Sequence, residues 1–473
     1  MRKRWPARLG LVLGPALALI IALGPTPEGL SVAGQRGLAV LALCVVWWLF
    51  TPVALPVTAL VGLALLPLLG VLEPSDAFSL FGNQAVFFVV GVFLLASAML
   101  RSGLSKRAAL WAMRRMARSE DTLAGAVLVL SCLLCGVVVS HAVAALMLPI
   151  VLGLVQAMDL GPRSRLARRL LLSMAWGTIL GSNLTLFASA RASLALSTYG
   201  AWAAENTPGA DSIGFLEFSS ATALVVVALL PIAFVWLRLA FPPQHRRSLQ
   251  PAVQKLAEQV EALGPLSGDE GKTLLVLAGL VVSLVVWGPV YGLGTVALIG
   301  SSLLFVLGVL SWNDAERSVN WGIILLYGGA IAIGAGLDKS GAMAWVVQAC
   351  LPEGGLPPLV MLAVIGGLAM LLTEFVSNAA VIALLLPAVL AVAPVLGLDP
   401  RVVTIVMSVA CGLAFSMPTS TPAMAMVFGT GYLRPRNVVA TGAILSLLAL
   451  AVLMALVVFG WPLLGLDPLG GAG

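Results

Sequence analysis

The chain is a succession of apolar runs of about 18 residues or more, from Leu9 to Leu466, each long enough to cross a ~30 Å hydrocarbon core. A backbone in lipid must close its own hydrogen bonds, which leaves helices or a closed barrel. The runs are continuously apolar instead of alternating, and that selects helices. With 60% hydrophobic and only 10% charged residues, the sequence cannot cover a water-soluble domain. The expected fold is therefore an all-α polytopic membrane protein. We place about 11 transmembrane helices near 9–24, 37–51, 53–72, 84–100, 171–199, 215–240, 273–293, 295–311, 320–337, 401–430 and 438–465. Two further apolar stretches, 122–158 and 357–393, are read as re-entrant hairpins.

An offset of 238 relates two halves of the sequence. It maps Arg101-Ser102-Gly103 onto Lys339-Ser340-Gly341, Pro149 onto Pro387, and Leu160-Gly161-Pro162-Arg163 onto Leu398-Asp399-Pro400-Arg401. Carried further, it sets Ser182-Asn183 against Ser420-Thr421. Duplicated, Pro-interrupted apolar units are the mark of a secondary transporter whose site lies between the repeats. If the N-terminus is cytoplasmic, 22 of the 26 Lys and Arg fall on the cytoplasmic side, leaving out Arg36, Arg191, Lys339 and Arg401. The stretch 101–118 is then internal and its counterpart from 339 external, so the repeats are expected to be inverted. The expected organisation is a first helix and external loop over 1–36, a first repeat over 37–240, a cytoplasmic linker over 241–271 and a second repeat over 272–473. The location is the plasma (inner) membrane, with the C-terminus external. The net charge of +6 reports this topology, and no nucleic-acid partner is expected.

The polar chemistry lies in the hairpins and the helices that follow them. Thr373-Glu374-Phe375-Val376-Ser377-Asn378-Ala379 interrupts an apolar stretch too short to cross twice, which suits a re-entrant tip. A tip offers helix N-terminal amides to an anion and helix C-terminal carbonyls to a hard cation, and an Asn side chain serves both. Downstream, Ser416-Met417-Pro418-Thr419-Ser420-Thr421-Pro422 cannot continue a helix, so the crossing 401–430 is expected to be discontinuous. Gly181-Ser182-Asn183-Leu184-Thr185 breaks the crossing 171–199 in the first half.

Thr-Glu-x-x-Ser-Asn before a Leu-Pro, together with the Thr-Pro of the broken helix, resembles the divalent anion:sodium symporter family. The resemblance covers nearly the whole chain, to Gly465. It implies substrate contacts at Asn378, Ala379, Thr421, Pro422, Ser140, His141, Ser182 and Asn183. It implies one sodium held by Thr373, Ser377, Asn378 and Ser420, and a second near Ser140 and Gly181. In the second copy Ala379 replaces the family's Thr; the first copy departs more, with Val139-Ser140-His141 where the family has Ser-Asn-Thr and Cys135 in place of a hydroxyl. The resemblance further implies a homodimer and an elevator-like motion.

His141 reads as a substrate donor that titrates near neutral pH, against the plainer reading of an imidazole hydrogen-bonded inside its hairpin. Glu374 divides between a structural acceptor and a group that attracts cations. Arg191 reads as snorkelling toward the external interface near Tyr199, with a counter-charge for a dianion as the alternative. Cys44, Cys132, Cys135, Cys350 and Cys411 read as small core residues. The expected function is secondary active transport of a small divalent anion, a C4-type dicarboxylate, coupled to sodium, with no resident cofactor. The alternatives are a sulfate or other oxyanion carrier, or proton coupling. A hydrolase is not expected: Ser140 and His141 are adjacent, which rarely aligns a nucleophile with its base. A passive channel is the remaining rival.

Overall fold

The computed structural model describes residues 4–162, 164–207, 212–243, 249–343, 345–346, 356–433 and 435–469. Arg163 and Cys350, named above, lie outside them, as do Arg2, Lys3, Arg246, Arg247 and Arg434 among the 26 Lys and Arg. The described residues are helical apart from turns and one isolated bridge, and six helices are long and apolar enough to cross a membrane.

The offset of 238 reappears in the helix boundaries. Leu55–Leu68 is matched by Leu293–Val306, and the helix ending at Arg101 (Gln84–Arg101) by the one ending at Lys339 (Trp321–Lys339). Each of those two helices is closed by a left-handed glycine, Gly103 or Gly341, where a side chain would be strained. Glu120–Cys135 and Ser140–Ala157 form one hairpin, and Pro358–Thr373 and Asn378–Val392 the other, again in register at three of their four ends.

Two ion pairs show how the halves face each other. Arg101 pairs with Asp314 and Lys339 with Asp76, at 3.2 Å for the second. Asp76 and Asp314 are themselves matched residues, each in a short helix ahead of its own half's long one, Pro74–Ser79 and Trp312–Ser318. The end of one long helix therefore lies beside the start of the other. The matched helices run antiparallel, and the repeats are inverted. Both pairs are exposed, so their value lies in reporting geometry more than in stability.

Two expectations change. Leu55–Leu68 and Leu293–Val306 have 14 residues each, about 21 Å, so the crossings expected at 53–72 and 295–311 are shorter helices continued by the short ones just named. Leu104–Met116 is helical, and inside the linker Gln250–Glu261 is helical too and packs against it. Arg107 joins this region to the second half through Glu270 at 2.6 Å.

The helix Arg165–Gly181 packs against Glu120–Cys135 by backbone contact. A Cβ on Gly177 would meet the Leu128 carbonyl at 2.3 Å, and one on Gly181 the Cys132 carbonyl at 2.2 Å. Glycines one turn apart thus let the first hairpin and the first broken helix touch closely.

Candidate functional site

Each hairpin turns at its tip in four residues, 136–139 and 374–377. In the second, Ser377 caps the following helix by accepting from the Ala380 N–H at 3.2 Å. Val139 holds the matching position in the first and has no side chain to cap with. That tip is tied down from outside instead. Ser140 N–H donates to the Ala188 carbonyl at 3.3 Å, and Thr185 Oγ1 donates to the Gly136 carbonyl at 2.5 Å.

Both downstream helices are interrupted. The first runs over Arg165–Gly181, opens over 182–189 and resumes as Ala190–Asn206. The second runs over Pro400–Ala410, opens over 411–421 and resumes as Pro422–Gly429. The expected equivalence of Ser182-Asn183 with Ser420-Thr421 does not hold here. Ser182 caps the end of a first half-helix, whereas Thr421 caps the start of a second, its Oγ1 accepting from the Met424 N–H at 3.2 Å. The cause is local. Pro418 cannot donate to residue 414 and Gly412 is a poor helix former, so the second copy unwinds earlier in the offset than the first.

Glu374 holds the second break against the second tip. Its carboxylate accepts from Ser416 N–H at 3.0 Å and Met417 N–H at 2.7 Å, and its carbonyl accepts from Thr419 Oγ1 at 2.8 Å. Of its two readings, the structural acceptor is the one this geometry displays. Arg191 does the complementary work at the first break. It does not snorkel: it is 4% exposed, and all five N–H groups find oxygens. The two broken helices are also joined directly, by Asn183 Nδ2 to the Gly412 carbonyl at 3.3 Å and Trp176 Nε1 to the Phe415 carbonyl at 3.3 Å.

Between the tips and the breaks lies a cavity of about 510 Å³. Four helices begin on its wall, since Ser140, Ala190, Asn378 and Pro422 all line it. Their amide ends make the space attractive to an anion. Among the described lining residues the ionisable groups are His141, Arg191 and Tyr327, with no carboxylate. Two polar atoms there lack a partner, Asn378 Oδ1 and the Tyr327 hydroxyl. His141 makes no hydrogen bond to another described residue; its ring lies 6.3 Å from that of Phe93, so the reading of a hydrogen-bonded structural imidazole is not realised.

Of the residues singled out from sequence, Ser140, His141, Ser182, Ser377, Asn378, Ala379, Ser420, Thr421 and Pro422 line this one space. Three stand behind its wall. Asn183 is 2% exposed and spends its amide on Ile179, Gly412 and Arg191, so it cross-links the breaks instead of facing the cavity. Thr373 is fully buried, donating to the Met370 carbonyl at 2.9 Å, and Gly181 is taken up in packing. Tyr327 and Ser189 were not foreseen, and Arg191 was placed elsewhere. An Arg inside an apolar segment was itself the available signal.

Comparison with known proteins agrees with this architecture. Over 97% of its length the chain is 26% identical to the sodium-dependent dicarboxylate transporter SdcS of Staphylococcus saprophyticus, covering 92% of that protein. It is 27% identical to SdcS of Staphylococcus aureus over the same shares. Two solved transporters share the fold: MtrF of Neisseria gonorrhoeae, TM-score 0.57 at 14% identity over 95% of this chain and 94% of that one, and YdaH of Alcanivorax borkumensis, TM-score 0.55 at 16% identity over 97% and 99%. The family model for the sodium:sulfate symporter transmembrane region matches residues 6–466, and the chain belongs to that family, the divalent anion:sodium symporters whose motifs its second tip carries.

Proposed function

We propose that the protein is a sodium-coupled symporter of a C4-type dicarboxylate. The observation that carries this is the cavity on which four helix N-termini, one guanidinium and an unpartnered Asn378 oxygen converge, with no carboxylate among its described lining residues. Such a space favours an anion, while the neutral oxygens beside it suit a hard cation. The relatives named as sodium-dependent dicarboxylate transporters fit both halves of this reading.

The sodium is assigned to Ser377, Asn378 and Ser420, with Thr373 behind them at the carbonyl end of Pro358–Thr373. The substrate is assigned to the Asn378 amide, the Thr421-Pro422 and Ala379 helix starts, Ser182, Ser140 and His141. The hairpins are re-entrant, and the chain works as a homodimer in which hairpins and broken helices move together. The N-terminus faces the cytoplasm and the C-terminus the exterior. Cysteines at Arg101 and Lys339 should therefore label from opposite sides of the membrane, and labelling from one side would overturn the orientation.

Uptake of labelled succinate, citrate and sulfate into proteoliposomes, under separate sodium and proton gradients, tests the function. Concentrative succinate uptake driven by sodium is expected. Sulfate uptake alone would make the protein an oxyanion carrier, uptake driven only by protons would remove sodium, and gradient-independent equilibration would make it a channel.

A further inference from the structure

We propose that Arg191 is a tethered cation of the anion site: its guanidinium fills, in the first half, an oxygen cage of the kind that would otherwise hold a dissociable cation. The proposal rests on the transport reading above and deepens it.

Five oxygens close on this one side chain. Arg191 Nη2 donates to Asn183 Oδ1 at 2.6 Å and the Ser182 carbonyl at 3.0 Å, Nη1 to Ser189 Oγ at 2.9 Å and Ser182 Oγ at 3.3 Å, and Nε to the Ser408 carbonyl at 2.9 Å. Every one is a neutral oxygen, and no carboxylate pairs with Arg191 among the described residues. Ser182 caps the end of Arg165–Gly181, and Ser408 lies in the last turn of Pro400–Ala410. The guanidinium therefore sits between two helix C-termini, the negative poles at which a cation is favoured.

The cage is shaped for this occupant. A Cβ on Gly412 would lie 2.0 Å from Arg191 Nη2 and 2.4 Å from Asn183 Oδ1, so a side chain there would collide with the charge and its ligand. Arg191 also lines the cavity on whose wall four helices begin. A buried charge that is hydrogen-bonded but not neutralised is a poor choice for a strut, because a neutral amide would bridge the same breaks at lower desolvation cost. Facing a dianion, the same charge is compensated. The second half shows the alternative arrangement: it places no basic residue among the described lining residues of the cavity, and its Asn378 oxygen has no partner among the described residues.

A fixed cation complements the substrate but takes no energy from an ion gradient, so removing it should convert the cage into an additional sodium site. We would titrate purified wild type, Arg191→Ser and Arg191→Gln with sodium, without substrate, and follow the melting temperature. Sodium is expected to stabilise Arg191→Ser more than wild type, guanidinium ion at low concentration is expected to do the same, and choline is expected to do neither. In proteoliposomes, succinate uptake by either variant should fall about tenfold or more at the sodium level that half-saturates wild type. Uptake should recover when sodium is raised, with a Hill coefficient higher by about one, or when guanidinium is added. Arg191→Lys should keep the wild-type sodium dependence.

If neither cation stabilises Arg191→Ser beyond wild type, or if Arg191→Gln transports with unaltered sodium dependence, the guanidinium is a strut and the proposal is wrong. Should Arg191→Ser not fold, Arg191→Gln carries the same comparison. Absence of sodium-driven uptake in the wild type would defeat the transport reading instead, while the substrate-free melting data would still judge Arg191.

Discussion

The two hairpin tips share a backbone and differ in chemistry. Both turn in four residues, both are followed by a Pro-containing helix, and their boundaries keep the offset of 238. In the second, a carboxylate on the tip collects backbone N–H groups of the break; in the first, a guanidinium beyond the break collects carbonyls and hydroxyls. The duplicated fold therefore specifies where two polar clusters lie, and each half has filled its cluster with opposite charge. The two halves keep a common geometry, whereas the polar side chains placed on it differ residue by residue.

The largest effect is expected from the open oxygen of the second tip. Asn378→Ala should lower uptake about a hundredfold or more, since the proposed sodium and carboxylate contacts would be lost together, without lowering the melting temperature. Ser140→Ala, its match in the first tip, should cost about tenfold or less. Equal losses would abolish the asymmetry between the tips, and wild-type uptake by Asn378→Ala would remove that residue from the site.

Next comes the second tip's carboxylate. Glu374→Ala leaves the Ser416 and Met417 N–H groups without their acceptor, and a destabilisation of about 2–3 kcal/mol is expected. Glu374→Gln, which keeps one acceptor oxygen, should fall between it and wild type in thermal unfolding. If Glu374→Ala melts with wild type, the break is held by other contacts.

Gly181→Ala should destabilise by about 1–3 kcal/mol, because its Cβ would press on the Cys132 carbonyl and part the first hairpin from its broken helix. Gly153→Ala, with open space around the new methyl, is the control and should be neutral or slightly stabilising. A harmless Gly181→Ala would mean that the contact yields.

The smallest effect is expected at His141. Replacement by Thr should flatten any pH dependence of uptake, changing rates by about threefold at most, because the imidazole lines the cavity without a hydrogen-bond partner among the described residues. An unchanged pH profile would make the histidine a wall residue only.

Much of this was legible in the chain. The membrane class followed from apolar run length, and the tips followed from a Ser-Asn within an apolar stretch and from the Pro149/Pro387 register. The offset stops being informative at the breaks, where Gly412 and Pro418 unwind the second copy early and no residue spacing records the shift. Arg191 was misplaced for a different reason. Its acceptors come from residues 182, 183, 189 and 408, and the last is reached only through tertiary convergence, so a local reading sent the charge toward the nearest water. Asn183 failed with it, because its side chain is committed to that same guanidinium.

The exchanged ion pairs have a bearing on ancestry. In a dimer of identical half-length chains, Arg101–Asp314 and Lys339–Asp76 would be one contact made twice by a two-fold axis, and any substitution would strike both ends at once. Joined in a single polypeptide, each end mutates alone. One has Arg where the other has Lys, the mildest record of the freedom that elsewhere set His141 in one tip against Ala379 in the other.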